Sequence, residues 1–329
     1  MAPADPPRSD RPAGMQTAAE LMARVRQVRL RTRRLVSSTL AGGYKSSFKG
    51  SGLEFEEVRG YQTGDDVRAI DWKVTARKSG PHVKTYREDR ALTLHFLVDT
   101  GSTMDFGTRR VTKRELAAEL VALLSFVALA SRDQVGLTLF GRETGLHLDP
   151  GRSGAHVNRL VREVLAAPPS PEGPSDLVGQ VEERLRGAAR HHLVFLVTDF
   201  HGWLGPGTAE RRDVLRRKLL SLGSRHDVIV VPVSDPFEDE LPSAGLLELH
   251  DLASGTARLV DSSSRRVRRA WRAAAAARHE DLADLLVRTR LGVIPLSTAA
   301  TVADPVARFF EARARGRTPS LRRRSGGVA

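Results

Sequence analysis

Cysteine is missing altogether from the 329 residues, which excludes disulfides and thiolate metal sites and leaves His, carboxylates and hydroxyls as ligands for any metal. Aromatic residues make up only 5%, and those in the stretch 41–90 are embedded among acids, which argues against a platform on which single-stranded bases stack. No apolar run approaches the roughly 18 residues of a membrane span. The N-terminal Met1-Ala2-Pro3-Ala4-Asp5-Pro6-Pro7-Arg8 lacks the apolar core of a secretory signal, so the expected location is the cytoplasm. Catalytic signatures are missing too: no G-x-x-x-x-G-K-[ST] loop, no H-E-x-x-H pair and no Ser-His-Asp order occurs, and the expectation is a protein that is not an enzyme. Acids are fewer than bases, 39 against 52, leaving a net charge of +13.

What is present is ordinary for a globular chain, with 40% hydrophobic and 28% charged residues and a length that allows about two domains at roughly 150 residues each. The positive excess, dominated by Arg, suits nucleic acid, an anionic surface or an acidic protein partner, and equally a coding bias towards Arg and Ala. Residues 1–15 are Pro- and charge-rich and read as disordered. From 16 to 40, Ala18, Leu21, Val25, Val28 and Leu35 keep to one face of a helix whose other face carries Arg24, Arg26, Arg29, Arg31, Arg33 and Arg34. The stretch 41–90 interleaves glycine turns, acids, bases and aromatics too closely for an amphipathic helix. It reads as a small β-rich extension, with Trp72, Tyr61 and Phe55 too apolar for a linker and Val83 to Arg87 leading into the main sheet.

The organising stretch is Leu92 to Met104. An apolar run that stops at Asp99-Thr100-Gly101-Ser102-Thr103 reads as a buried parallel strand delivering side chains to a site. Apolar residues at helical spacing follow (Leu116, Leu120, Leu123, Leu124, Val127), then a second strand, Gln134 to Phe140, which completes a βαβ unit. The pattern continues with a helix after Gly154, a Pro-rich loop at 168–175, a helix from Asp176 to Ala189, a strand from His192 ending at Asp199, a helix over 208–222 and a strand from Asp227 to Val233. A hairpin at 246–261, a helix from Ser264 to Leu291, a short strand at 293–296 and a helix from Asp304 to Arg313 close the body at 91–311, and 312–329 is an Arg-rich tail. Strands alternating with helices predict an α/β fold with a doubly wound, mostly parallel sheet flanked by helices. In such sheets ligands bind beyond the carboxyl ends of the strands, where Asp99 and Asp199 lie. His191, His192 and His201 read as solvated loop residues.

Several separate motifs carry a resemblance: S-S-F-K-G-S-G-L-E-F-E-E-V-R-G-Y at 46–61, G-D-D-V-R-A-I-D-W-K at 64–73, V-K-T-Y-R-E-D-R at 83–90, D-T-G-S-T-M at 99–104, V-S-D-P-F-E-D-E-L-P at 233–242 and L-S-T at 296–298. Together they resemble the domain-of-unknown-function 58 family, whose core is similar to a von Willebrand factor A domain. The resemblance implies a metal-ion-dependent adhesion site of pattern D-x-S-x-S, suited to Mg²⁺, a hard ion that takes oxygen ligands in an octahedron. On that pattern the metal residues are Asp99, Thr103 and Asp199, with Ser102 standing in one position late, because Gly101 replaces the first hydroxyl and the loop at 153–156 offers no Thr. The expectation is a weak or vacant Mg²⁺ site. The alternative has Asp99 and Asp199 capping turns and helix N-termini at the strand ends.

For function, the resemblance implies a non-catalytic protein-binding or assembly factor, docking a partner through Asp99, Thr103 and Asp199 and acting with a MoxR-type AAA+ ATPase in maturing or remodelling a protein complex. A second reading has the Arg-rich ends bind nucleic acid or an anionic surface. A remote third is an aspartic hydrolase, since Asp99-Thr100-Gly101 also resembles the way such enzymes present an acid. That chemistry needs a second D-[ST]-G, and Asp261-Ser262-Ser263 lacks the Gly.

Overall fold

Alternating apolar strands and helices from residue 92 onward build the layered α/β body, as a computed structural model of the chain shows. The structure describes residues 18–35, 38–48, 54–62, 65, 70, 72–77, 80–87, 92–141, 145–168, 175, 179, 191–205, 207–252 and 255–317. The chain order is α1 (Ala18–Leu35), α2 (Ser38–Phe48), β1 (Glu54–Gly60), α3 (Trp72–Thr75), β2 (His82–Arg87), β3 (Thr93–Asp99), α4 (Lys113–Ala130), β4 (Gln134–Phe140), β5 (His147–Gly151) and α5 (Gly154–Ala166). It continues through β6 (Leu193–Thr198), α6 (Ala209–Gly223), β7 (Asp227–Ser234), α7 (Pro236–Asp239), β8 (Leu246–His250), β9 (Ala257–Asp261), α8 (Arg265–Thr289), β10 (Gly292–Val293), β11 (Leu296–Ser297) and α9 (Ala303–Ala314).

The main sheet runs β5-β4-β3-β6-β7-β10, with β11 also pairing with β7. Counted from β3 as the first strand of the body, that is the 3-2-1-4-5-6 order of a doubly wound sheet, and its direction of winding reverses between β3 and β6. All pairs are parallel except β4 with the edge strand β5. The period-2 alternation of each strand sorts its side chains between two cores. Leu94, Phe96 and Val98 join one core with α4, α5, α1, α2 and α9. Leu97, Val194, Leu196, Val228 and Val230 join the other with Leu215, Leu219 and Leu222 of α6 and Leu285 and Leu286 of α8. Helix α4 lies almost wholly inside, and its start is held by a capping box in which Thr112 accepts from the Glu115 N–H and Glu115 accepts from the Thr112 N–H, a device worth about 1 kcal/mol. Among the described residues no helix is long and apolar enough to cross a membrane.

Four expectations are corrected. The single helix over 16–40 is two, and α2 extends through Phe48 into the stretch read as β-rich. The reason is burial: Tyr44 is 1% exposed, donates to Asp133 Oδ2 at 2.7 Å and packs with Phe48 and Phe310, so tertiary contacts outweigh the weak helix propensity of Gly42-Gly43. Second, β1 and β2 form an antiparallel ribbon of their own and do not run into the main sheet, and Trp72 is 67% exposed where packing was expected. Third, β5 was not foreseen, and the last short strand is divided at Ile294-Pro295 because proline has no N–H for the ladder. Fourth, the Arg-rich tail begins later than 312, because the helix expected from Asp304 to Arg313 runs through Ala314, with Arg313 pairing with Asp227 and lying 4.7 Å from the Phe48 ring centroid. The disordered reading of 1–15 and the tail beyond 317 lie outside the described residues, as does the helix at Asp176–Ala189 except for Gly179, which is helical.

Candidate functional site at the switch point

Register places the site. Val98 pairs with Val197, so Asp99 at the end of β3 stands beside Thr198 at the end of β6, with Asp199 one residue further. The Asp99 side chain accepts from the Gly101 N–H at 2.8 Å and from Ser175 Oγ at 2.5 Å on Oδ1, and from Thr198 Oγ1 at 2.6 Å on Oδ2. Burial and the neighbouring charge of Asp199 push the Asp99 carboxyl up to about 6, against the pull of those three donors. Phe200 turns the chain just past Asp199 with a left-handed φ of 57°, a conformation that costs a non-glycine residue on the order of 1 kcal/mol and is held here by Phe200 N–H donating to Thr198 Oγ1.

Asp199 faces a cation. Lys113, the first residue of α4, lies 1% exposed with Nζ donating to Asp199 Oδ2 at 2.8 Å and also to Glu238 on α7. The second oxygen of Asp199 accepts from the His201 N–H at 2.9 Å. Burial alone would raise the Asp199 pKa, yet the Lys113 ammonium outweighs it and holds the carboxyl below the usual range. The two acids likewise hold Lys113 above its ordinary value against burial. Next to this pair, Asp235 is fully buried and gathers Thr108 N and Oγ1, Phe237 N and Thr298 Oγ1. Glu238 caps in return by accepting from the Asp235 N–H at 3.0 Å. The motifs at 233–242 and 296–298 are therefore one clamp that fixes the loops after β7, after β11 and before α4 around the strand ends.

The other two predicted residues sit at the rim. The Ser102 hydroxyl donates to the Leu252 carbonyl in the turn of the β8–β9 hairpin, and Thr103 is half-buried in the 3₁₀ turn Ser102–Asp105. The structure thus brings Asp99 and Asp199 together, with Ser102 and Thr103 above them. Sequence reasoning missed Lys113, Ser175, Thr198 and Glu238. Lys113 had a signal, for it heads the apolar stripe of Leu116, Leu120, Leu124 and Val127, and a cation in line with a buried stripe points inward. Of the histidines read as solvated, His201 is exposed, but His192 is half-buried, stacked on His95 and tilted against His226.

A Mg²⁺ ion does not fit this donor set. Both Asp99 oxygens already accept hydrogen bonds, Asp199 is neutralised by an ammonium, and among the described residues no group of three or more His, Asp or Glu is placed to hold an ion. Gly101 is not simply a missing serine either. Its φ of −53° is open to any residue, but a Cβ there would stand 2.8 Å from Ser175 Oγ and 3.1 Å from Asp99 Oδ1, so the glycine makes room for the Ser175–Asp99 bond.

A sheet of this order, with acids from the first and fourth body strands meeting at the switch point, defines a doubly wound α/β protein whose polar site lies beyond the carboxyl ends of its strands. The chain belongs to the family described as "Protein of unknown function DUF58", whose model matches residues 57–281. It is 30% identical over 302 residues to the uncharacterized protein Rv1480 of Mycobacterium tuberculosis, covering 90% of this chain and 91% of that one. Among solved structures, the conserved hypothetical protein BatB from Bacteroides thetaiotaomicron aligns over 68% of this chain and 100% of its own, with a TM-score of 0.40 and 12% identity. The SpRpn10 VWA domain aligns over 44% of this chain and 76% of its own, with a TM-score of 0.32 and 11% identity.

Proposed function

We propose that the chain is a non-catalytic protein-binding factor that docks a partner at the carboxyl-terminal edge of its sheet, and that the partner is a MoxR-type AAA+ ATPase acting with it on a protein complex in the cytoplasm. The observation that carries this reading is the β8–β9 hairpin. Its outward face presents Leu246 at 66% exposure and Leu259 at 69%, on a ribbon whose turn rests on the site through Leu252 against Ser102 and Asp251 against His201. Two exposed leucines fixed beside a rigid polar rim suit an apolar contact with another protein, since burying each would contribute about 1.5–3 kcal/mol. In this reading Thr103 meets the partner at the rim, while Asp99 and Asp199 hold the loops in the docking geometry from below.

Capture of a purified MoxR-type ATPase by immobilised full-length chain, with and without ATP, tests the proposal. Wild type should retain the ATPase and L246S/L259S should weaken retention at least tenfold, equivalent to about 1.4 kcal/mol, with its melting temperature unchanged because both side chains are exposed. Failure of wild type to retain the ATPase would remove the named partner, and equal retention by the double variant would remove the hairpin.

A further inference from the structure

We infer that Lys113 is the resident cation of the switch-point site, so that Asp199 and Glu238 converge on an ammonium of the chain itself where a divalent metal would otherwise stand. Three observations converge on it. The Lys113 side chain is buried at 1% exposure, where an ammonium with no counter-charge would be expelled, and it is held by Asp199 at 2.8 Å and by Glu238. These are carboxylates from two different loops, one after β6 and one after β7, converging on a single positive centre as they would on an ion. The third acid, Asp99, is turned away from that centre by its own donors: Ser175 and the Gly101 N–H on one oxygen and Thr198 on the other. Finally, the space a position-101 hydroxyl would need is taken by the Ser175–Asp99 contact.

The consequence concerns how the loops are held. Where a metal ion holds such loops, their order is coupled to its binding and a chelator weakens it. Here the cation is covalently part of α4, whose first turn is itself fixed by the Thr112 capping box, and Lys113 Nζ also lies 5.8 Å from the Phe106 ring centroid. Glu238 occupies the outer side of the ammonium and is itself tied to the Asp235 N–H, so the arrangement closes on itself. The inference stands whatever docks on the hairpin above.

Electron paramagnetic resonance of Mn²⁺ titrated into the full-length protein, together with thermal melts in Mg²⁺, Mn²⁺ or EDTA, reads the site directly. Wild type should leave the free-Mn²⁺ signal undiminished and melt at the same temperature in all three solutions. Mn²⁺ uptake that is insensitive to D99N and D199N lies elsewhere and leaves Lys113 in place. Uptake at micromolar strength that D199N abolishes would overturn the inference. A double-mutant cycle supplies the second arm: K113M and D199N should each lower the melting temperature, and K113M/D199N should recover most of the summed loss because no lone charge is left buried. Additive losses would show that the two are not each other's counter-charge and would also overturn it. If K113M does not fold alone, folding of the double variant is itself the recovery, and failure of both to fold counts against the pairing.

Discussion

Asp99 is ionised against its surroundings, since burial and the charge of Asp199 raise its carboxyl to about 6 while an unfolded chain titrates near 3.8. A raised acid favours folding where the folded state holds the extra proton. The associated stability is therefore complete below pH ~3.8 and lost as the pH rises through ~6. The variant D99N keeps an acceptor for Gly101 and Ser175 but carries no charge. Its stability relative to wild type should rise between pH 4 and pH 8, measured by urea unfolding. A constant difference across that range would mean that Asp99 is not raised. Gly101 illustrates the same scale, because the residue type that looked like a lost metal ligand is set by the room the Ser175 hydroxyl requires.

Helices and strands override local propensity where packing demands it, and glycines separate the two effects. Gly42 lies exposed in α2 with nothing within 4 Å of a Cβ built on it, so only its helix penalty remains. Gly42→Ala should stabilise by about 0.5–1 kcal/mol in thermal or urea unfolding. Gly136 in β4 is the opposite case: a Cβ there would stand 2.7 Å from His95 Nδ1 and 3.2 Å from the Leu148 carbonyl. Gly136→Ala should therefore destabilise by about 1–3 kcal/mol through overpacking, and a neutral result would show that the imidazole has room to move. At this scale the stretch 41–90 was misread as uniformly β-rich. Its glycines and serines pointed to turns, yet Tyr44 reaches Asp133, 89 residues away, and that contact is invisible to any local pattern.

Across the whole molecule the charges work inward more than composition suggests. Arg24 pairs with Glu115 and Arg31 with Glu119 to seat α1 on α4, Arg110 binds both oxygens of Glu119, and Arg212 and Arg313 tie α6 and α9 to Asp281 and Asp227. The basic helix at the start of the described chain is therefore packed, with Val25 and Val28 in the core. Acid stability is also a property of the whole sheet. Imidazoles of His192, His95 and His147 cross it in stacked steps, with His226 tilted against His192 and Thr138 hydrogen-bonded to both His95 and His147 at 2.8 Å. Burial lowers His95 to about 3 and lowers His192, so each contributes stability that is present above the unfolded value of ~6.5 and lost as the pH falls below it. Asp99 and Asp133, both raised by burial, act in the opposite sense over the lower part of that window. Wild-type unfolding free energy should consequently fall less between pH 6 and 4 than the buried imidazoles alone would make it. D99N should uncover a fall of up to about 1.4 kcal/mol per pH unit on acidification, and His95→Leu should reverse the slope. A steep acid limb in wild type that D99N does not alter would refute the opposed titrations.

The architecture was legible in the chain's local pattern. Apolar strands ending in acids, separated by helical periodicity, admit little but a doubly wound parallel sheet, because only that arrangement buries strands apolar on both faces. That pattern also placed Asp99 and Asp199 at the strand ends, since chain direction and alternation are local properties. Only the tertiary structure decided what those acids face. Lys113 reaches Asp199 from 86 residues away, Ser175 reaches Asp99 from 76, and Glu238 meets that lysine from 125, and such a meeting depends on strand register and on the first turn of α4. A motif records which ligands a site offers. Whether the positive charge among them is an ion or the chain's own lysine is settled by packing, because a buried cation is admitted only where the fold has already assembled its counter-charges.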